Sequence, residues 1–171
     1  DTPEAHFDRI VVLDNKDTTD RMTILKELND VILENTKRED TVIIYFSTHG
    51  TLTQGRGKKE FKQFLIARDT RDREIEETGI ALETLEEKFS LLKSQRKLLI
   101  IASCYSGVGK SKFSSATQKN LEGIKGAPIV LPFSDVSEAS IILSAARISE
   151  PAKEDEGLEN DIYTHFLIKS L

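Results

Sequence analysis

The chain has 171 residues, of which 38% are hydrophobic and 31% charged, a balance typical of one soluble globular domain. Its formal net charge of -5 gives no electrostatic reason to expect nucleic acid or a membrane as partner. A single cysteine excludes an intrachain disulfide and a Cys-rich zinc site, and His6, His49 and His165 are too scattered to indicate a metal cluster. No apolar run reaches the roughly 18 residues of a membrane span, so a reducing, cytoplasmic setting is expected.

Short apolar runs alternate with amphipathic segments, which is typical of a parallel sheet covered by helices on both faces. Residues 10–13 are the first predicted strand, and a helix is expected from about Asp20 onwards. Asp17, Thr18 and Thr19 offer capping oxygens for the start of this helix. Its apolar residues recur at spacings of three and four, and the face so predicted consists of Leu25, Leu28 and Ile32.

Two further apolar runs, residues 42–46 and 98–101, lack alternation and are therefore predicted to be strands buried on both faces. Between them, a Gly- and Lys-rich stretch at 51–60 followed by residues 64–66 predicts a short hairpin arm. A helix is expected over 82–92, where apolar residues recur at helical spacing. Its predicted inner face consists of Leu82, Leu85, Phe89 and Leu92.

The last third of the chain opens with residues 105–138, which are rich in Gly, Ser and Lys and show little periodicity. A run of this length within a domain is typical of a functional or a disordered segment. A fourth strand is predicted over 140–145 and a closing helix over 161–171, with Ile162, Phe166 and Leu167 facing inward. Since no repeat or boundary interrupts the pattern, residues 1–171 are predicted to form one α/β domain.

Two chemically reactive side chains directly follow predicted buried strands. His49 follows the strand at 42–46, and Cys104 follows the strand at 98–101. Ligands bind at the carboxyl edge of open α/β sheets, and neighbouring strands lie about 5 Å apart, so both residues are expected in one cleft. An imidazole there promotes formation of the thiolate and later protonates the leaving amine, chemistry that requires no cofactor.

In this interpretation Gly50 contributes a backbone hydrogen-bond donor. Because glycine lacks a side chain, the backbone N–H of Gly50 can approach a substrate carbonyl closely. Together with the N–H of Cys104 it is predicted to form an oxyanion hole.

Residues 42–50, Val-Ile-Ile-Tyr-Phe-Ser-Thr-His-Gly, resemble the histidine motif of the caspase and metacaspase families. Residues 99–107, Leu-Ile-Ile-Ala-Ser-Cys-Tyr-Ser-Gly, are similar to their cysteine motif in its prokaryotic form. Residues 141–171 also match the end of those prokaryotic domains in outline. Cys104 lies 55 residues after His49, close to the roughly 50 residues of caspases.

This resemblance implies a three-layer α/β sandwich with a largely parallel sheet. It also implies a cysteine endopeptidase that acts on protein or peptide substrates, with Cys104 as nucleophile and His49 as general base. Calcium dependence occurs among metacaspases, but no compact carboxylate loop in this sequence indicates a metal site.

Two departures from the family pattern concern the fold. The family normally has a strand and a helix before the segment that matches residues 10–13, and this chain, which starts at Asp1, lacks both. The chain is therefore expected to be a fragment or a processed piece, and a separate N-terminal fragment or regulatory chain is a candidate partner. Thr48 stands where the family usually has glycine, which is tolerable if its side chain turns away from the cleft.

A third departure concerns specificity. Ala102 stands where metacaspases generally carry the Asp that helps to hold an Arg or Lys of the substrate. Basic residues at P1 are nevertheless expected, because prokaryotic relatives mostly cut there. Arg147 raises the opposite option, a pocket for an acidic P1 residue as in animal caspases. The lysines within residues 107–138 would suit activation by self-cleavage. The candidate replacements for the missing carboxylate are Asp69, Glu150, Glu154 and Asp155.

Three alternatives remain open. Residues 106–111, Ser-Gly-Val-Gly-Lys-Ser, end like a phosphate-binding P-loop with Gly109, Lys110 and Ser111, although Cys104 replaces its first glycine. A non-catalytic interaction module with the caspase fold is the second, since fold alone does not decide function. The third is a separase- or gingipain-like peptidase, which would change the substrate and leave the mechanism unchanged.

Overall fold

The computed structural model describes residues 7–54, 61–103, 140–144, 165–167 and 169. Its helices are α1 (Arg21–Asp30), which continues into a π-helical segment (Val31–Asn35), α2 (Ile75–Thr78) and α3 (Leu82–Leu91). Its strands are β1 (Thr41–Ser47), β2 (Gly50–Gln54), β3 (Phe61–Leu65), β4 (Ile80–Ala81), β5 (Arg96–Ala102) and β6 (Ser140–Ser144). No helix in this part of the chain is long and apolar enough to cross a membrane.

Residues 10–13 form no strand, so this prediction from their apolar run was wrong. Ile10 and Val12 are 72% and 64% exposed, and β1 pairs only with β5 among the described strands. Apolar sequence favours a strand, but a strand also needs a neighbour that accepts its backbone hydrogen bonds. A separate N-terminal or regulatory chain stays a prediction.

The helix expected from Asp20 is confirmed as α1, but its cap is Asp20 itself. The Asp20 carboxylate accepts a hydrogen bond from the Thr23 N–H at 3.0 Å. Thr18 and Thr19 instead close a turn on the Asn15 carbonyl oxygen, because they lie too early in the chain for their hydroxyls to reach the first free N–H groups of α1. The predicted apolar face packs on the core through Leu25, Leu28 and Ile32.

A parallel sheet with strand order β1-β5-β6 confirms the predicted α/β fold. Ser47 lies opposite Ala102, and every residue of β1 is paired with the residue of β5 that comes 55 positions later. The strand predicted at 140–145 corresponds to β6. The crossovers between these strands bring residues distant in the sequence to one edge of the sheet.

Burial along β1 alternates, contrary to the prediction of a strand buried on both faces. Val42, Ile44 and Phe46 pack against the core, whereas Ile43 and Tyr45 are exposed. In the described part of the chain, the core contains apolar residues of both α1 and α3 on the same side as Val42 and Ile44. One covered face buries every second residue of a strand, which gives the observed alternation.

The predicted hairpin arm is confirmed as β2 and β3, which form a second, antiparallel sheet with β4. Leu52, Leu65 and Ile80 share one face of this sheet and belong to the main core. The helix predicted over 82–92 is confirmed as α3, and its inner residues Leu82, Leu85 and Phe89 are buried, as is Leu92 beyond its end.

Lys97, near the start of β5, is buried beside the end of α3. Its ammonium group donates hydrogen bonds to the carbonyl oxygens of Phe89 (3.2 Å) and Leu92 (3.1 Å) and lies 5.5 Å from the centre of the Phe89 ring. Burial lowers the pKa of Lys97. The side chain thus adds hydrogen bonds to carbonyl oxygens at the end of α3, where fewer helical N–H groups are available.

Residues 165–167 and 169 are helical, as predicted for the closing helix. Phe166, predicted to face inward, is 61% exposed, and its ring meets the His165 ring edge-on. Consecutive helical residues point about 100° apart, so Phe166 and Leu167 do not share one narrow inner face. Ile162 lies outside the described residues.

Candidate active site

His49 lies between β1 and β2, just beyond the carboxyl edge of the parallel sheet. Its side chain is exposed, whereas Gly50, the first residue of β2, is buried. The chain passes from the parallel to the antiparallel sheet at this point, which leaves the imidazole exposed to solvent while the following backbone enters the core.

The pairing of β1 with β5 continues beyond the last residue of β1. The Thr48 N–H donates to the Ala102 carbonyl oxygen at 3.3 Å, one residue after the Ser47–Ala102 pair. The offset of 55 residues that governs this pairing also separates His49 from Cys104. Cys104 itself lies outside the described residues. The last described residue after β5 is Ser103, which is buried.

Two hydrogen bonds hold the backbone beside His49. The Ile66 N–H donates to the His49 carbonyl oxygen at 2.8 Å, and the Thr48 hydroxyl donates to the Ile66 carbonyl oxygen at 2.7 Å. The Thr48 side chain is thus directed towards the residue that follows β3. Both polar groups of the Ile66 backbone are used to fix this short segment.

The β2–β3 ladder does not use the N–H of Gly50. Gly50 and Leu65 are opposite one another, and the bond from Ile66 to His49 flanks that pair on one side. In antiparallel sheets such flanking bonds surround a pair whose own N–H and C=O groups point away from each other. The Gly50 N–H is therefore directed away from β3.

Two buried hydroxyl groups near this edge lack hydrogen-bond partners within the described structure. They belong to Ser103, which precedes Cys104, and to Thr51, which follows Gly50, and each residue is 1% exposed. An unpaired buried hydroxyl lowers the free energy of unfolding by about 1–3 kcal/mol, according to mutational data.

Of the residues predicted to bind substrate, the structure describes Asp69 and Ala102. The Asp69 carboxylate accepts a hydrogen bond from the Arg21 N–H at 2.8 Å and so contacts the start of α1. Ala102 is buried opposite Ser47. The other candidates lie outside the described residues, as does the P-loop-like segment at 109–111; these candidates are Arg147, Glu150, Glu154 and Asp155.

No group of three or more His, Cys, Asp or Glu side chains in the described ranges is arranged to hold a metal ion. Sequence reasoning did not identify Ile66, because its contribution is made entirely by backbone atoms. It also treated Thr48 only as a tolerated departure. The hydroxyl of Thr48, next to a catalytic candidate, was the one available sequence signal for this contact.

Residues 4–171 match the family model of the caspase domain. The chain therefore belongs to the caspase domain family and is a cysteine-type peptidase by family. None of the curated proteins matches the chain at significant similarity.

Proposed function

We propose that the chain is a cysteine endopeptidase in which Cys104 is the nucleophile and His49 the general base. The observation that carries this proposal is the register of β1 and β5. If the offset of 55 residues continued for two positions beyond the Ser47–Ala102 pair, His49 would be level with Cys104 at the sheet edge. The exposed position of His49 supports the same assignment, since a general base must reach a bound substrate.

In the proposed reaction, the imidazole of His49 takes the proton of the Cys104 thiol, and the thiolate attacks the scissile carbonyl carbon. The carbonyl oxygen becomes an oxyanion, which the N–H groups of Gly50 and Cys104 stabilise. His49 then donates its proton to the leaving amine, giving an acyl-enzyme thioester. Water, deprotonated by His49, hydrolyses the thioester and restores the free thiol.

The direction of the Gly50 N–H supports its role in the oxyanion hole. An N–H group that is already bonded within a β-ladder is not free to bind substrate. The Gly50 N–H makes no bond within the β2–β3 ladder. A reducing, cytoplasmic setting suits the proposed enzyme because its one cysteine must remain a thiol.

A substrate with Arg or Lys at P1 is proposed on the resemblance to prokaryotic caspase-like peptidases. Ala102 offers no carboxylate to such a residue and is buried, so the countercharge must come from another part of the chain. Cleavage within residues 107–138 is proposed as an activating step, because the lysines there would match that specificity.

A fluorogenic peptide panel that differs only at P1 tests the proposal with the wild type, Cys104→Ala and His49→Ala. We expect turnover of Arg and Lys substrates by the wild type and a loss of at least about 10³-fold in both variants. Equal turnover by the three proteins would exclude the dyad, and preferential turnover of Asp substrates would exclude the basic specificity.

Incubation of the wild type and Cys104→Ala, followed by mass measurement of the fragments, tests self-cleavage separately. Cuts after lysines within residues 107–138 are expected in the wild type alone. Identical fragment patterns in both proteins would exclude activation by self-cleavage.

A further inference from the structure

We propose that Asp69 is a positioning residue for His49, which it holds through the loop at residues 66–70. This inference rests on the proposed function, since it matters for catalysis only if His49 is the general base. It assigns Asp69 a structural role at the start of α1 rather than a role in binding substrate.

The first end of the 66–70 loop is attached directly to the His49 backbone. Ile66 donates to the His49 carbonyl oxygen at 2.8 Å and accepts from the Thr48 hydroxyl at 2.7 Å. A displacement of Ile66 would therefore displace the main chain on which the imidazole is carried. An imidazole shifted by about 1 Å loses much of its catalytic effect.

The loop is closed by hydrogen bonds between its own residues. The Ala67 N–H donates to the Thr70 hydroxyl at 2.9 Å, and the Thr70 N–H donates to the Ala67 carbonyl oxygen at 3.1 Å. The Thr70 hydroxyl in turn donates to the Thr78 carbonyl oxygen at 3.2 Å. Ala67 is buried in the core, which fixes the loop close to Ile66.

The middle of the loop is anchored to the start of α1. The Arg68 N–H donates to the Thr19 carbonyl oxygen at 2.9 Å, and the Asp69 carboxylate accepts from the Arg21 N–H at 2.8 Å. A carboxylate at a helix N-terminus is stabilised by the free N–H groups and by the helix dipole. Of these two bonds, only the one made by Asp69 uses a side chain of the loop, so only that bond can be removed by a simple substitution.

Asp20 provides a matched control on the same helix. Its carboxylate also binds an N–H group in the first turn of α1, that of Thr23 at 3.0 Å, but Asp20 does not belong to the 66–70 loop. Asp20→Ala and Asp69→Ala each remove one acidic cap from α1. Only Asp69→Ala also removes a hydrogen bond between α1 and the loop that contacts His49.

The experiment uses the whole chain and follows two quantities. The first is kcat/KM with a fluorogenic peptide, which should fall about tenfold to hundredfold in Asp69→Ala and less than twofold in Asp20→Ala. The second is the rate of alkylation by iodoacetamide against pH, which reports on Cys104 alone because it is the only cysteine. In Asp69→Ala this profile should move towards that of an ordinary thiol, near pH 8.5, as it should in His49→Ala.

Asp69→Asn, which keeps an acceptor oxygen, should restore part of both quantities, and it supplies the comparison if Asp69→Ala does not fold. Equal behaviour of the Asp69 and Asp20 variants would overturn the positioning role, because a general effect on α1 would then suffice. An alkylation profile that moves in His49→Ala but in neither Asp69 variant would overturn it as well. If His49→Ala changes neither quantity, the proposed dyad itself fails, and the two failures are thereby distinguished.

Discussion

The N–H of Thr48 donates a hydrogen bond to the carbonyl oxygen of Ala102, at a distance of 3.3 Å. This bond lies beyond the last residue of β1 and keeps the chain in step with β5 as it approaches His49. A one-residue slip in the pairing would turn every side chain of the strand to the opposite face. The bond therefore helps to fix the position of His49 along the strand direction, relative to the residues that follow Ala102.

Thr48→Val and Thr51→Val are expected to change stability in different ways, although both replace a hydroxyl by a methyl group. Thr48 loses its bond to the Ile66 carbonyl oxygen, which should lower the free energy of unfolding by about 1 kcal/mol. The buried hydroxyl of Thr51 has no partner within the described residues, so its removal should leave stability unchanged or raise it by up to about 1 kcal/mol. Urea denaturation measures both, and a larger loss for Thr51→Val would contradict the assignment.

Leu85→Ala should lower the free energy of unfolding by about 2–5 kcal/mol, because Leu85 is 4% exposed and its truncation leaves a cavity. Leu91→Ala, in the same helix, is the control. Leu91 is 63% exposed, so its truncation should change stability by no more than about 0.5 kcal/mol. Similar losses for the two variants in denaturant titrations would mean that α3 presents a different face to the core.

Lys97 should make stability depend on pH in the alkaline range. Burial lowers the pKa of Lys97 in the folded chain, so the unfolded chain binds more protons between that value and the ordinary lysine pKa. Stability relative to Lys97→Met should therefore rise with pH across this window and level off above about pH 10.4.

Urea unfolding at a series of pH values, with Lys93→Met as the exposed control, measures the effect of Lys97. A difference between the wild type and Lys97→Met that stays constant with pH would refute the expectation. The comparison cancels the titration of groups that the two proteins share.

Asp20→Asn should lower stability at neutral pH and leave it unchanged in strong acid. Hydrogen bonds from Thr23, together with the positive charge of Arg68, hold the pKa of Asp20 below its usual value. The charged form thus contributes stability above about pH 4, and this contribution is lost as pH falls through the folded-state pKa. Thermal unfolding of both proteins should show melting temperatures that converge with acidification, whereas a gap that widens would oppose this account.

Helical segments with regular apolar spacing were predictable, since the relevant contacts are between residues three or four apart. The pattern from Leu82 to Phe89 placed α3 correctly for this reason. The run at residues 10–13 is entirely apolar but forms no strand, because strand pairing depends on a distant segment. The alternating burial of β1 likewise depends on which face other elements cover.

The amino-acid sequence by itself determined the α/β class, the family motifs around His49 and Cys104, and the inner face of α3. These features depend on local spacing and residue type. Only the tertiary structure decided the register of β1 against β5, the direction of the Gly50 N–H, and the attachment of His49 through Ile66 to the Asp69 cap. The first two are set by backbone pairing between segments far apart in the chain, which depends too weakly on side-chain identity to be visible in the sequence. The third joins a backbone bond to a side-chain bond, and only the fold brings their partners together.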